Sequence, residues 1–201
     1  MFRTESFATP KDMLEHMNKV LSSTPMVFNY AGTIEDMSKA KLVVETDLFP
    51  RAALEFYTKH NLGLYEGTQS HDEDYKKYYN NVRGGGQGDY RQGMQQKIDN
   101  VIDCLKRFPS SKRAVITVPC TSTYSADADH TIDNEAKCLR ELYFSIVDGR
   151  LHATGVMRAN CSQIFPKNIH YIGTIMHMVA DQVGVPVGTY THIVINLTEN
   201  R

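Results

Sequence analysis

Apolar positions along this chain recur with two periods, and each stretch points to its own kind of element. Met13, Leu14, Met17, Val20 and Leu21 fall on one stripe of a helix. Thr9-Pro10 ahead of them reads as an N-cap and a first helical residue. Extended segments are expected at 26–30 and 41–46, where Val27, Phe28, Val43 and Val44 cluster. A short helix follows Pro50, with Ala53, Leu54 and Tyr57 among its apolar residues. Met94, Ile98, Val101, Ile102 and Leu105 predict a strong helix from Gly93 to Arg107, stopping before Pro109. Ser110 to Arg113 then leads into a buried strand, Ala114 to Val118. Ile169, Ile172, Ile175, Met176, Val179 and Val183 mark a helix that Gly184 and Pro186 end. Tyr190 to Ile195 closes the pattern as a strand.

Residues 66–92 break this rhythm with a long polar run that ends in Arg83-Gly84-Gly85-Gly86-Gln87-Gly88. The spacing meets neither the P-loop nor the dinucleotide fingerprint. It reads as a substrate-closing loop that contacts ligand through Arg83, Gly84, Gly85 and Gly86, or as a mobile surface loop. Helices separated by a mixed set of strands indicate a helix-covered sheet, α/β or α+β. At 201 residues the chain suits one domain, 1–201, with that loop as its insertion.

The most informative stretch runs from Cys138 to Arg158. Asp148-Gly149 between apolar positions is a strong hairpin signal, because a type I′ turn needs positive φ at both residues. The hairpin brings Cys138 and Arg158 to the same end of one sheet. A nucleophile beside a fixed cation suggests covalent chemistry on an anionic substrate. A regular ladder with 148 and 149 as its loop would set Arg158 opposite Leu139, so the two side chains would face opposite ways. They share a site only if a β-bulge intervenes or if Cys138 lies beyond the last paired residue.

Charge narrows the choice of partner. With 22 Lys and Arg against 23 Asp and Glu, nothing marks a general nucleic-acid binder. No apolar run approaches a membrane span, and residues 1–25 lack a signal-peptide layout, so a cytoplasmic protein is expected. Cys104, Cys120, Cys138 and Cys161 form no C-x-x-C pair; free thiols and no metal site are expected.

Several pieces, in order, resemble the thymidylate synthase and pyrimidine hydroxymethylase family, its short archaeal branch in particular. The matching residues are Lys106 to Arg113, Cys138-Leu-Arg140, Asp148 to His152, Arg158-Ala-Asn160, Asn168-Ile169, His177 to Ala180, and Gly184 to His192. The likeness covers about residues 93 to 193 and is weak before them, around Leu54 to Tyr57. It implies a thymidylate synthase-like mixed sheet covered by helices. It also implies that Cys138 adds as thiolate to C6 of a pyrimidine, making C5 able to attack a one-carbon donor. Lys137 and Arg140 are neighbours that favour the thiolate. Arg158 would hold the nucleotide phosphate, with Lys112 and Arg113 reaching it across the two-fold of a homodimer. Asn168 would read the base, its amide matching N3–H and O4 of uracil. The plain structural readings are a core cysteine at 138, a solvated pair at 112–113, a helix-capping Asn168, a half-buried His177 and a satisfied strand histidine at 192.

Departures from the family pattern are equally specific. The general-base glutamate falls on Ala53, with Glu55 two residues away. The serine after the phosphate arginine is Ala159, and the folate-binding aspartate is Cys161. The sugar-binding His-x-Tyr falls on Thr198 to Asn200, and the chain ends at Arg201, short of the segment that lies over the folate in the family. The resemblance implies 5,10-methylenetetrahydrofolate as donor; Cys161 and the chain end count against it. Three readings compete: methyl or hydroxymethyl transfer to C5 of a uridylate-like nucleotide; folate-independent C5 chemistry such as decarboxylation, dehalogenation or exchange; and a non-catalytic nucleotide-binding homologue.

Overall fold

The computed structural model describes residues 4–65, 72–83, 89–118 and 137–199. In chain order these form β1 (Glu5–Phe7), α1 (Pro10–Leu21), β2 (Met26–Ile34), α2 (Arg51–Asn61), α3 (Glu73–Tyr78), α4 (Met94–Arg107), β3 (Val115–Thr117), β4 (Leu139–Val147), β5 (Arg150–Cys161), α5 (Phe165–Val183) and β6 (Val187–Thr198). The strands make one mixed sheet in the order β1-β2-β6-β5-β4-β3. β6 runs parallel to β5, across the α5 crossover, and antiparallel to β2.

Local chemistry accounts for most boundaries. At α1 the Asp12 amide donates to the Thr9 hydroxyl at 3.3 Å, and the Asp12 carboxylate accepts from the Thr9 amide at 2.8 Å, a closed capping box. The hairpin turns through Asp148 at φ 49° and Gly149 at φ 71°, the paired positive values of a type I′ turn. Gly184 ends α5 in the left-handed conformation at φ 82°.

The apolar stripe of α5 packs with α1 and α4 against Leu142, Met157, Tyr190 and Val194 of the sheet to form the main core. Phe49, Ala53, Leu54, Phe56, Tyr75 and Tyr78 form a second cluster between α2 and α3. The other side of the central strands carries Thr154 and Val156 of β5, Thr191 and Ile193 of β6, and Ala31 and Thr33 of β2, all half-buried.

Four expectations are corrected. Residues 41–46 form no strand; Leu42 and Val44 are buried by side-chain packing, with Leu42 seated in the notch that Gly173 opens on α5. Their apolar pattern reflects that contact and not a ladder. The polar segment 66–92 contains a helix, α3, which Asp72 caps by accepting from the Tyr75 amide at 3.0 Å. Asn168 caps nothing, because α5 begins at Phe165 and places it inside the first turn. The last strand is longer than 190–195 at both ends, and β1 went unpredicted because three residues give too short a pattern.

Candidate active site

A bulge builds the centre of the site. Leu139 pairs with Met157 and Glu141 with Val156, so Arg140 is one residue too many on β4. The shift sets Cys138 opposite Arg158, whose amide donates to the Cys138 carbonyl at 2.8 Å. Directly opposed residues share a face, with Cβ atoms about 4.5–5.5 Å apart. The Cys138 side chain is half-buried and Arg158 is exposed.

Three tyrosines from other elements cluster near Cys138. The Tyr90 hydroxyl, just ahead of α4, accepts from the Leu139 amide at 3.2 Å. Its ring stacks on Tyr171 of α5 at 5.9 Å and 13°, and Tyr57 of α2 meets Tyr171 edge-on at 6.0 Å. Burial pushes all three phenols well above their usual range, and Cys138 adds to the effect at Tyr57 and Tyr90. They are therefore neutral hydroxyl donors near neutral pH. The Tyr171 hydroxyl, fully buried, has no partner among the described residues.

The first turn of α5 adds two polar groups. Lys167 is buried; its ammonium lies 4.3 Å from the Tyr57 ring centroid, a cation–π distance, and donates to the Arg83 carbonyl at 2.6 Å. Asn168, also buried, donates through Nδ2 to Oδ1 of Asn160 at 2.6 Å. Asn160 stands on β5 two residues beyond Arg158. Arg140 buries an Nη1 that finds no partner among the described residues.

Other candidates lie elsewhere. Lys112 and Arg113 are exposed at the far end of β3, about 20 Å along the strand from Cys138 at roughly 3.3 Å per residue. They border a surface groove with Arg107 and Phe108, so one chain does not bring them to its own Cys138. The Arg83 side chain is committed to structure: it donates to the carbonyls of Leu48 at 2.7 Å and Lys77 at 3.2 Å. Gly84, Gly85 and Gly86 lie outside the described residues. Ala53 is buried in the second cluster, and Glu55 is exposed beside Arg51 at 4.0 Å. Alanine has no carboxylate, and that of Glu55 faces Arg51. Cys161 is buried with its thiol donating to the Glu199 carbonyl at 2.8 Å. His177 bonds the Met37 carbonyl at 2.8 Å, whereas His192 is only half satisfied, bonded to Tyr190 through Nδ1 with Nε2 unpartnered among the described residues.

Sequence reasoning did not find Tyr90, Tyr171, Lys167 or the pairing of Asn160. Lys167 carried a signal, a lone cation one residue before Asn168 at the head of an apolar helix. Tyr90 carried none, since it lay in a segment read as loop.

The chain is similar to known proteins in sequence and in fold. No protein-family model matches the chain. Over 105 residues, 52% of this chain, it is 32% identical to a Methanosarcina barkeri protein named "Putative thymidylate synthase", 46% of whose length is covered. A Methanocaldococcus jannaschii protein of the same name is 27% identical over 173 residues, 83% of this chain and 72% of that protein. The chain thus spans about half the length of the first relative. Among solved structures, thymidylate synthase from T4 phage matches with a TM-score of 0.63 at 16% identity, over 94% of this chain and 76% of that one, a likeness of fold.

Proposed function

We propose that this chain, thymidylate synthase-like in its archaeal relatives and in its fold, is a transferase that adds a one-carbon unit to C5 of a uridylate-like nucleotide. The observation that carries the reading is the bulge that sets Cys138 opposite Arg158, near the neutral hydroxyls of Tyr57 and Tyr90. Arg158 binds the phosphate and so delivers the ring to the sulfur. The Cys138 thiolate forms an S–C6 bond, and the C5=C6 electron pair moves toward C5 and O4. Neutral tyrosine hydroxyls stabilise the negative charge that develops there. C5 then attacks the one-carbon electrophile, at the formaldehyde level of a hydroxymethyl product, and the electron pair of the bond broken at that carbon leaves with the donor's heteroatom. C5 gives its proton to water, and expulsion of the thiolate restores the C5=C6 bond.

Cys161 does not fit the folate-binding task, since a buried thiol turned to the Glu199 carbonyl offers no carboxylate. The reading therefore commits to the activated C5 carbon and leaves the contacts of the donor unassigned. The same observation, with Ala53 buried among apolar side chains, favours folate-independent C5 chemistry as the second reading. Release of tritium from a C5-labelled nucleotide without folate would select it.

A homodimer completes the site. Lys112 and Arg113 cannot reach Cys138 of their own chain, and the row of Thr and β-branched residues on the sheet's other face suits a second copy.

The test is Cys138→Ser with uridylate, deoxyuridylate and methylenetetrahydrofolate. Product formation should fall by more than about 10³-fold while calorimetry still detects nucleotide binding. Undiminished turnover in the serine variant would refute the covalent step.

A further inference from the structure

We propose that Asn160 is the positioning residue that orients the Asn168 amide, so that the site takes 4-oxo rings (uracil-type) over 4-amino rings (cytosine-type). The inference rests on the reading of Asn168 as the base-contacting residue.

A carboxamide has two ends of similar shape and opposite polarity. In one orientation Asn168 accepts from N3–H and donates to O4 of a uracil; turned by half a circle it accepts from a 4-amino group and donates to N3 of a cytosine. An unanchored asparagine therefore reads both edges. Asn168 is not unanchored: its Nδ2 donates to Asn160 Oδ1 at 2.6 Å. Asn160 and Asn168 are 3% and 5% exposed, so water cannot replace that bond. Turning the Asn168 amide alone would set two carbonyl oxygens against each other in a dry site and leave an Nδ2 without its partner. The two amides are coupled, and one can turn only with the other.

The orientation of the pair also leaves one donor spare. Asn160 Nδ2 is buried and has no partner among the described residues. An unpaired N–H matches a ring that presents carbonyl oxygens. A concerted turn of both amides would leave an unpaired oxygen instead, which suits an amino-bearing ring. The state adopted is the one for uracil-type nucleotides.

The full-length protein, Asn160→Leu and Asn160→Asp are titrated calorimetrically with deoxyuridylate and deoxycytidylate. Wild type should prefer deoxyuridylate. Asn160→Leu frees the Asn168 amide and should cut the preference by about tenfold while still binding both nucleotides. Asn160→Asp can only accept from Asn168 Nδ2, so it should retain the preference. A purely structural role would weaken both nucleotides alike and leave their ratio unchanged. An unchanged ratio in Asn160→Leu, or its loss in Asn160→Asp, overturns the assignment, as does a wild type without preference. If the leucine variant fails to fold, Asn160→Ser, too short to reach Asn168, carries the same expectation. A wild type that binds neither nucleotide defeats the pyrimidine reading itself, and the role of Asn160 with it.

Discussion

Full burial holds His192 in its neutral form. Its Nδ1 is bonded to the Tyr190 hydroxyl at 2.8 Å, and burial pushes its pKa from 6.5 down to about 3. The sign of the pH effect follows. The unfolded chain takes up this proton below pH 6.5 and the folded one does not, so the contribution is complete above that value and is lost progressively toward pH 3. Between about pH 7 and pH 5 the loss should be about 2 kcal/mol, read from urea denaturation at the two pH values. His192→Leu should flatten that decline without abolishing it, because burial also lowers the pKa of His60 and His170. An equally steep decline in the variant would mean that His192 is not the group that titrates. Cys138, Arg158 and Asn168 were legible as candidates through their combined spacing, which resembles the family pattern, and not through any single residue. Tyr90 and Tyr171 were not, since tyrosine in a core is unremarkable until its neighbours are known.

Close packing between elements depends on where side chains are missing. β5 and β6 run in parallel at the centre of the sheet, and Gly155 lies opposite His192. A Cβ at Gly155 would stand 2.3 Å from the Tyr190 hydroxyl and 3.1 Å from its Cζ. Tyr190 is fully buried and has no space to retreat. Gly155→Ala should therefore destabilise the fold by about 1–3 kcal/mol in chemical denaturation and disturb the Tyr190–His192 bond. A cost below about 0.5 kcal/mol would show that the core yields there. Elements with a local signature were legible: the capping box of α1, the Asp148-Gly149 turn and the stripe of α5 each follow from residues within a few positions of one another. Segment 41–46 misled because burial against a helix and burial in a ladder leave the same apolar trace.

At the scale of the molecule, the two halves of the proposed phosphate grip lie at opposite ends of strand β4, Arg158 on the neighbouring β5 and Arg113 ahead of β3. Arg158 is beside Cys138, and Arg113 lies at the other end of β4. If the site is completed by a second copy, Cys138→Ser and Arg113→Ala protomers, each inactive alone, should regain activity when mixed. One site of each mixed dimer then holds both an intact thiol and an intact arginine, so up to half of wild-type turnover is expected per mixed dimer. Equilibrium sedimentation should show the dimer, and a mixture as inactive as its parts would remove Arg113 from the site.

By itself the sequence determined the helices other than α3, the hairpin, the family likeness and the condition that either a bulge or an unpaired Cys138 must bring it to the side of Arg158. These rest on backbone preferences and side-chain periods that act within about twenty residues. Only the tertiary structure decided that Arg140 is the bulged residue, that the rings of Tyr57 and Tyr90 meet on Tyr171, and that Asn168 donates to Asn160. Tyr57 and Tyr171 are far apart in the chain, and no local preference encodes their meeting. It follows from how α2 and α5 bury their apolar faces together, a choice made by the whole core at once.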